Sequence, residues 1–380
     1  MILAYQDLYD AIFGVQPIIK TKSGVEGRIQ PSSFDCVLGD RAYRVTSSFL
    51  PKENETVMAA IERNYLFDFK LKETGSIFEP YCPYIIPLLE ELDLPSGWAC
   101  YSSPKSSIGR IDLFVRMLSD GCGQYDRTVE GYKGRLFLEV VSLSFVLAVA
   151  PNLSLNQIRI STAESPEILK NEEIVLAHSK YGIVFSQEGK ILPPDKITIE
   201  NQSVFLSLDL SKDTVGYRAK KCPNKVMYLC GGEKNLKEDF FEPISQKKGE
   251  SLTLFRKGES LTLFPENFYL LASCERVRVP PEFCGTLIPY SVSQGEMRAH
   301  YAGYFDNGFG YGQGEWPGAT AVFEVRVHSV PFRFTHGQFL GRMTYERSLH
   351  IPALIYGHEK LGSHYTSTGP KLGKYIKGEW

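Results

Sequence analysis

Short segments in which apolar and polar residues alternate recur along most of this chain. In residues 321–327 apolar side chains alternate with Glu324 and Arg326, and residues 134–141 form a second run rich in Val, Leu and Phe. Alternation with a period of two is typical of β-strands. Frequent Gly and Pro divide these runs, which predicts a mainly β protein with many short strands in barrels or sandwiches. Only residues 5–13 have apolar residues at helical spacing.

The chain contains a long internal repeat. Each half has a Glu-led strand that ends on a proline, a Pro-x-Ser element after it, and then a strand with one glutamate. The corresponding segments are 91–95, 104–106 and Glu139 in the first half, and 275–280, 289–291 and Glu324 in the second. Self-similarity on this scale indicates a duplicated domain. We therefore expect modules at residues 1–170 and 195–380, joined by a linker at 171–194.

A shorter repeat lies within the second half, where residues 248–255 recur as residues 257–264. We expect the first copy to be a local insertion without catalytic meaning. The second copy runs directly into Pro265, which favours a strand within the sheet for that copy.

Composition and charge narrow the classes of function. The chain has 42 basic and 44 acidic residues and a formal net charge of −2, which gives no support to a nucleic-acid or anionic-membrane surface. The apolar run at residues 145–150 is too short to span a bilayer. The first residues lack the basic start and apolar core of a secretion signal. We expect a cytoplasmic protein that binds neither nucleic acid nor membrane.

The residues that usually bind metals are dispersed. The eight cysteines form no CxxC pair, and neither HExxH nor the HxE…PCxxC signature of zinc deaminases is present. We therefore expect free thiols and a chemistry that does not use zinc.

Three segments contain candidate functional residues, each with an ordinary structural alternative. Residues 105–110 (Lys-Ser-Ser-Ile-Gly-Arg) place two hydroxyls between two cations, which suits phosphate oxygens, but a Ser-rich turn is also common before a strand. Asp306 precedes a glycine turn that it could simply cap, and Glu324 could be a solvated strand residue. The Gly-, Ser- and Thr-rich tail at 363–375 is either frayed or a lid over a polyanionic ligand.

Taken in order, these segments resemble the dCTP deaminases of the dUTPase-like superfamily. The resembling stretches are residues 30–39, 91–95, 105–110 and 131–139, followed by 302–309, 318–324 and 336–341. They cover most of the chain, in the long two-module form of the enzyme. The resemblance implies two distorted jelly-roll barrels, sites built where barrels meet, and conversion of dCTP to dUTP and ammonia in dTTP precursor synthesis.

The resemblance also implies roles for individual residues. The matching residues are Ser106, Ser107 and Arg110 for the nucleotide motif, Glu139 and Glu324 for the glutamate that activates water, and Asp306 for the aspartate near the sugar. We expect Lys105, Tyr365 and Lys371 to contribute to substrate binding. Mg²⁺ is implied through the substrate triphosphate, without zinc. We also expect a homo-oligomer, with dTTP as a candidate feedback inhibitor.

The two modules depart from the family motif in complementary ways. The first has Val129 in place of the aspartate, and the second has Gly295 where the arginine belongs. We therefore expect a hybrid site, in which the motif at 105–110 faces the carboxylates of a second module in the same or a neighbouring chain. In it Glu324 is the general base, and Glu139 is a relic or a structural ion-pair partner. The rival is a site formed by first-module copies alone, with Glu139 as the base.

Two other functions fit the same residues. A dUTPase, or a bifunctional enzyme that continues to dUMP, would need an aspartate to activate water at the α-phosphate, and Asp306 fits that need. A non-catalytic regulator on the same scaffold would bind dCTP tightly without turnover. Ammonia with dUTP as products indicates a deaminase, whereas pyrophosphate indicates a phosphohydrolase.

Overall fold

Strands dominate the protein, and the helices are short, which confirms the predicted mainly β class. The computed structural model describes residues 1–230, 235–245, 255–289, 297–300, 303–312 and 316–380. Its helices are α1 (Tyr5–Phe13), α2 (Val57–Asn64), α3 (Ser106–Gly109), α4 (Asn171–Tyr181) and α5 (Lys237–Phe240), with 3₁₀ turns at Pro194–Lys196 and Glu359–Leu361. Among these described residues, no helix combines the length and apolar character needed to cross a membrane.

The strands fall into two series. The first series is β1 (Ile19–Thr21), β2 (Phe34–Asp35), β3 (Arg41–Val45), β4 (Tyr65–Lys70), β5 (Ser76–Phe78), β6 (Tyr84–Asp93), β7 (Ala99–Pro104), β8 (Leu113–Ser119), β9 (Lys133–Ser142), β10 (Leu147–Val149) and β11 (Asn156–Ser161). The second is β12 (Val184–Phe185), β13 (Ile199–Glu200), β14 (Ser203–Ser207), β15 (Thr214–Ala219), β16 (Met227–Tyr228), β17 (Asn235–Leu236), β18 (Phe241–Ser245), β19 (Phe255–Arg256), β20 (Ser260–Leu263), β21 (Tyr269–Val277), β22 (Phe283–Pro289), β23 (Met297–His300), β24 (Gly303–Phe305), β25 (Ala319–Val327), β26 (Phe332–Thr335), β27 (Phe339–Arg347) and β28 (Ile376–Lys377).

The internal repeat is visible in the strand order. One six-stranded sheet runs β4-β3-β6-β9-β8 with β1 beside β6, and another runs β18-β15-β21-β25-β23 with β12 beside β21. The register shifts at matching places, between Pro87 and Glu91 in β6 and between Ala272 and Arg276 in β21. The two halves therefore share one topology. The second-module counterpart of α3, around Gly295, lies outside the described residues.

The segment 171–194, for which the sequence favours a linker, contains α4 and β12. Ile174 and Val184 belong to the core of the second module, and β12 pairs with β21. The backbone N–H of Lys170 donates to the Glu173 carboxylate at 2.8 Å, which caps the start of α4. Neither α2 nor α4 was predicted from the sequence, and each buries three residues. These contacts favour a division between the modules just before α4.

The two modules share a hydrophobic core. Its largest cluster joins apolar residues of the first module to Tyr217, Phe268 and Val322 of the second. Consequently both faces of β25 are covered, and every residue of this strand except Arg326 is buried. The alternation read from the sequence therefore does not divide β25 into a core face and a solvated face, and Glu324 is a buried carboxyl group.

The second copy of the short repeat contributes a strand to a sheet, as its sequence predicts. The second copy contains β20, which pairs with β19 on one side and β26 on the other. Most of the first copy lies outside the described residues.

The C-terminal tail is packed against the rest of the protein, which contradicts the frayed alternative. Leu361, Leu372 and Ile376 are buried, and β28 pairs in parallel with β17. The backbone N–H of Thr320 donates to the Thr368 carbonyl at 2.9 Å. Truncation after Tyr356 would therefore remove part of the core. Residues 357–380 are not a lid that can be removed without harm to the fold.

Leu372→Ala should lower the free energy of unfolding by roughly 2–5 kcal/mol, because a buried leucine is replaced by a cavity. Denaturation in urea measures the change. The exposed Lys377→Ala in the same tail is the matched control and should stay within about 0.5 kcal/mol of the wild type. Equal stability of the Leu372 variant and the control would show that the tail is not part of the core.

Candidate active site

A cavity of about 530 Å³ lies where the two modules and the tail meet. Its wall includes Asp35, Lys105, Ser106, Ser107 and Gln157 of the first module, Tyr304 and Asp306 of the second, and Tyr356, His364, Tyr365 and Lys374 of the tail. Five of the residues predicted from the sequence therefore meet within a single chain: Lys105, Ser106, Ser107, Asp306 and Tyr365.

The single turn of α3 presents the Ser-Ser-x-x-Arg motif to this cavity. The turn covers Ser106–Gly109, and Arg110 follows it directly. The Ser107 hydroxyl is hydrogen-bonded to the Tyr365 hydroxyl at 2.7 Å and accepts the backbone N–H of Lys374 at 3.1 Å. The tail is thus attached to the motif by two hydrogen bonds to one serine.

Arg110 and Glu324 lie near each other but do not line the cavity. The Arg110 guanidinium lies 3.9 Å from the centre of the Tyr365 ring and donates to the Lys371 carbonyl. The Glu324 carboxylate lies against Gly109, so closely that a Cβ atom at position 109 would be 2.1 Å from Oε2. A side chain at position 109 would therefore displace this carboxylate.

The environment of Glu324 favours its protonated form. The residue is only 8% exposed. Burial raises the pKa of Glu324 well above 4.5, the Asp112 carboxylate raises it further, and the Arg110 guanidinium acts in the opposite direction. A carboxyl group with a raised pKa is suited to take up and release protons near neutral pH.

Asp306 is held by the first module. Its carboxylate accepts the backbone N–H of Ser32 at 3.0 Å and the hydroxyls of Ser32 and Ser33 at 3.2 and 3.0 Å. Burial raises the pKa of Asp306 to about 6, although these hydrogen bonds lower it. Sequence reasoning assigned no role to the two serines, although both lie in the resembling stretch at 30–39.

Three lysines line the cavity: Lys105, Lys360 and Lys374. Lys105 forms an ion pair with Asp35. The pKa of Lys374 is lowered by burial and by the neighbouring Lys105. The ammonium group of Lys371, the predicted tail cation, instead donates to the His364 carbonyl at 3.2 Å, and its side chain is not on the cavity wall. Lys371 and Lys374 lie in the same Gly-rich tail, and nothing in the sequence distinguishes them.

Glu139 occupies the matching strand position in the first module but has different surroundings. It lies on β9 opposite Arg116 of β8 and is fully buried. Burial raises the pKa of Glu139, while the nearby hydroxyls of Ser48 and Tyr125 lower it. The structure does not bring Glu139 to the cavity or to the Ser-Ser-x-x-Arg motif.

One group of potential metal ligands lies together in the described part of the chain: Asp209, Cys274 and His336. The backbone N–H of Leu210 donates to His336 Nδ1 at 3.0 Å, and Ser211 donates to Asp209 at 2.8 Å. The Cys274 thiol donates to the Leu208 carbonyl at 3.3 Å, so all three side chains already have structural partners. None of the three lines the cavity.

Two family models together match almost the whole chain. The model of the 2'-deoxycytidine 5'-triphosphate deaminase N-terminal domain matches residues 2–164. The model of the C-terminal domain of the same family matches residues 170–376.

Individual relatives agree with the family models. A dCTP deaminase of Halorubrum lacusprofundi is 23% identical over 168 residues, which are 44% of this chain and 79% of that protein. The crystal structure of 2'-deoxycytidine 5'-triphosphate deaminase from Agrobacterium tumefaciens superposes with a TM-score of 0.82 at 35% identity. That match covers 95% of this chain and 99% of the other.

Glu139→Gln should make stability less dependent on pH. Because burial raises the pKa of Glu139 in the folded chain, folding favours its protonated form. The resulting stabilisation is complete below the unfolded pKa of about 4.3 and is lost as pH rises through the folded pKa. Between about pH 4 and about pH 8 the wild type should therefore lose more free energy of unfolding than the variant does.

Denaturation in urea at both pH values measures this difference. The exposed Glu130→Gln is the matched control and should follow the wild type. If wild type and Glu139→Gln change in parallel with pH, the carboxyl group of Glu139 titrates normally and the account of its burial is wrong.

Proposed function

The chain belongs to the dCTP deaminase family, and on that premise we propose that it hydrolyses dCTP to dUTP and ammonia at the junction of its two modules. The observation that supports this location is that Arg110 of one module lies near the buried Glu324 of the other, whose carboxylate packs against Gly109. The phosphate-binding type of motif lies beside them on the cavity wall.

Glu324 is proposed as the general base. The reaction consumes one water, which adds to C4 of the cytosine, and releases the C4 amino group as ammonia. The carboxylate takes one proton from the attacking water and delivers it to ring N3. It then takes the proton of the new C4 hydroxyl and delivers it to the amino nitrogen, which leaves as ammonia while C4 becomes a carbonyl. A raised pKa suits these transfers. Arg110 stabilises the charge that develops at the reacting centre. This route uses only the chain's own residues and needs no zinc.

The substrate's triphosphate is proposed to bind between the cationic residues of the cavity. Lys105 and Lys374 supply charge, the hydroxyl of Ser106 supplies a donor, and Asp306 is placed for the sugar. Oδ1 of Asp35 is buried and has no hydrogen-bond partner among the described groups. A carboxylate oxygen of this kind fits Mg²⁺ or its water ligands, and the cation would neutralise phosphate charge.

The tail is proposed to control access to Glu324. Because Tyr365 covers Arg110 and bonds to Ser107, a cytosine ring can reach Glu324 only if this part of the tail shifts. The product dUTP would serve as a precursor of dTTP. A homo-oligomer and feedback inhibition by dTTP are further predictions from the family resemblance.

Glu324→Gln should lower turnover of dCTP by at least about 10²-fold, the low end for loss of a general base. Glu139→Gln should have a mild effect, because the structure places this carboxyl group away from the cavity. Ammonia release at saturating dCTP measures turnover, and the melting temperature verifies that each variant folds. Loss of activity in the Glu139 variant together with its survival in the Glu324 variant would favour the rival site in the first module.

The same assay distinguishes the phosphohydrolase alternative. With dCTP as substrate, dUTP and ammonia should appear in equal amounts and pyrophosphate should not. Pyrophosphate in amounts equal to ammonia would show a bifunctional enzyme that continues to dUMP. Pyrophosphate from dUTP without ammonia from dCTP would show a dUTPase and overturn the proposal.

A further inference from the structure

Asp112 is a charged residue in a confined and unusual position. It is fully buried, and its φ of 56° lies in the left-handed region that non-glycine residues seldom adopt. Its backbone N–H donates to the Gly109 carbonyl at 2.9 Å, so it ends the turn that carries Arg110. A conformation of this kind persists where the surrounding contacts hold it in place.

Arg326 of the second module provides such contacts. Its guanidinium donates through Nε to Oδ1 of Asp112 at 3.1 Å and through Nη2 to Oδ2. The same guanidinium donates to the Ser144 hydroxyl at 3.0 Å. A bidentate arginine–carboxylate pair is among the strongest and most directional polar contacts in proteins. This pair joins the turn after α3 to β25.

The pair lies directly beside Glu324. Glu324 and Arg326 are two residues apart on β25, so their side chains point to the same face. Among the described side chains, the other ionisable groups that face Glu324 are Arg110, from the turn after α3, and Tyr365, from the tail. The register pairs Glu324 with the apolar Leu270 on β21 and with His300 on β23, whose side chain lies outside the described residues. Arg326 is the cation nearest along the strand, and it is engaged by Asp112.

We propose that Asp112 is a positioning residue for the deamination, because it holds Arg326 away from Glu324 and fixes the Gly109–Arg110 turn against that carboxyl group. The inference rests on the proposed function, in which Glu324 is the general base. Without Asp112, the guanidinium of Arg326 can turn to the carboxylate on its own strand face. The resulting ion pair would keep Glu324 ionised and bound to the guanidinium of Arg326.

The effect of Asp112 on Glu324 depends on Arg326. The negative charge of Asp112 raises the pKa of Glu324, so Asp112→Asn lowers that pKa twice, by removing an anion and by releasing a cation. In Arg326→Gln the cation is lost, and the buried Asp112, whose pKa is raised by burial and lowered by Arg326, takes up a proton as well. The pKa of Glu324 should therefore stay near its wild-type value in Arg326→Gln. A role limited to holding the modules together would not produce a shift that requires Arg326.

The test is the pH dependence of kcat for ammonia release from dCTP. The acid limb should move to lower pH by about one unit in Asp112→Asn, stay near the wild type in Arg326→Gln, and return towards the wild type in the double variant. At the plateau, Asp112→Asn should be about tenfold slower, because a base of lower pKa is weaker. KM should change little, because neither side chain lines the cavity.

Glu346→Gln is the matched control. Glu346 is also buried and forms another ion pair between the modules, with Arg159 at 3.3 Å. This variant should lose stability without moving the acid limb. If Asp112→Asn does not fold, Asp112→Gly carries the test through the same downward shift, because glycine readily adopts the left-handed backbone at this position.

Two results would overturn the positioning role: an unmoved acid limb in Asp112→Asn, or a downward shift that persists in the double variant. Retention of full activity by Glu324→Gln would instead contradict the proposed function itself. The two failures are therefore distinguishable.

Discussion

The close contact between Gly109 of the first module and the Glu324 carboxylate of the second is the constraint on which the site depends. It requires a residue without a side chain at the end of α3, since a Cβ atom there would be 2.1 Å from Oε2. It also requires that a carboxyl group be buried, which is unfavourable for the charged form and raises its pKa. The shared core and the tail hold the two surfaces together against that penalty. A single fused chain can therefore present Arg110 and Glu324 to each other without a partner subunit.

The duplicated modules show that an equivalent strand position does not imply an equivalent environment. Glu139 on β9 and Glu324 on β25 occupy matching places in sheets with the same strand order. Glu139 is enclosed near Ser48 and Tyr125 of its own module. Glu324 is covered by α3 of the other module. The element that packs over the strand, rather than the strand itself, determines the surroundings of each glutamate.

Alternation, punctuation by Gly and Pro, and self-similarity were enough to predict the fold class and the repeat, because these features are local or periodic. The complementary departures at Val129 and Gly295 led to the hypothesis of a hybrid site, which stays a prediction. Contacts between distant segments had no such signal. The pair of Asp112 and Arg326 and the burial of the tail depend on how surfaces pack, which no local pattern reveals. The helices α2 and α4 were also not predicted.

The most direct test of the central claim, one working site built from both modules of one chain, is the structure of the Glu324→Gln variant with dCTP and Mg²⁺. The expected structure has the amino group on cytosine C4 within hydrogen-bond reach of the side chain at position 324, with Arg110 beside the ring. The triphosphate should lie near Lys105 and Lys374. A nucleotide whose cytosine lies against Glu139, or one bound without contact to the second module, would contradict the claim.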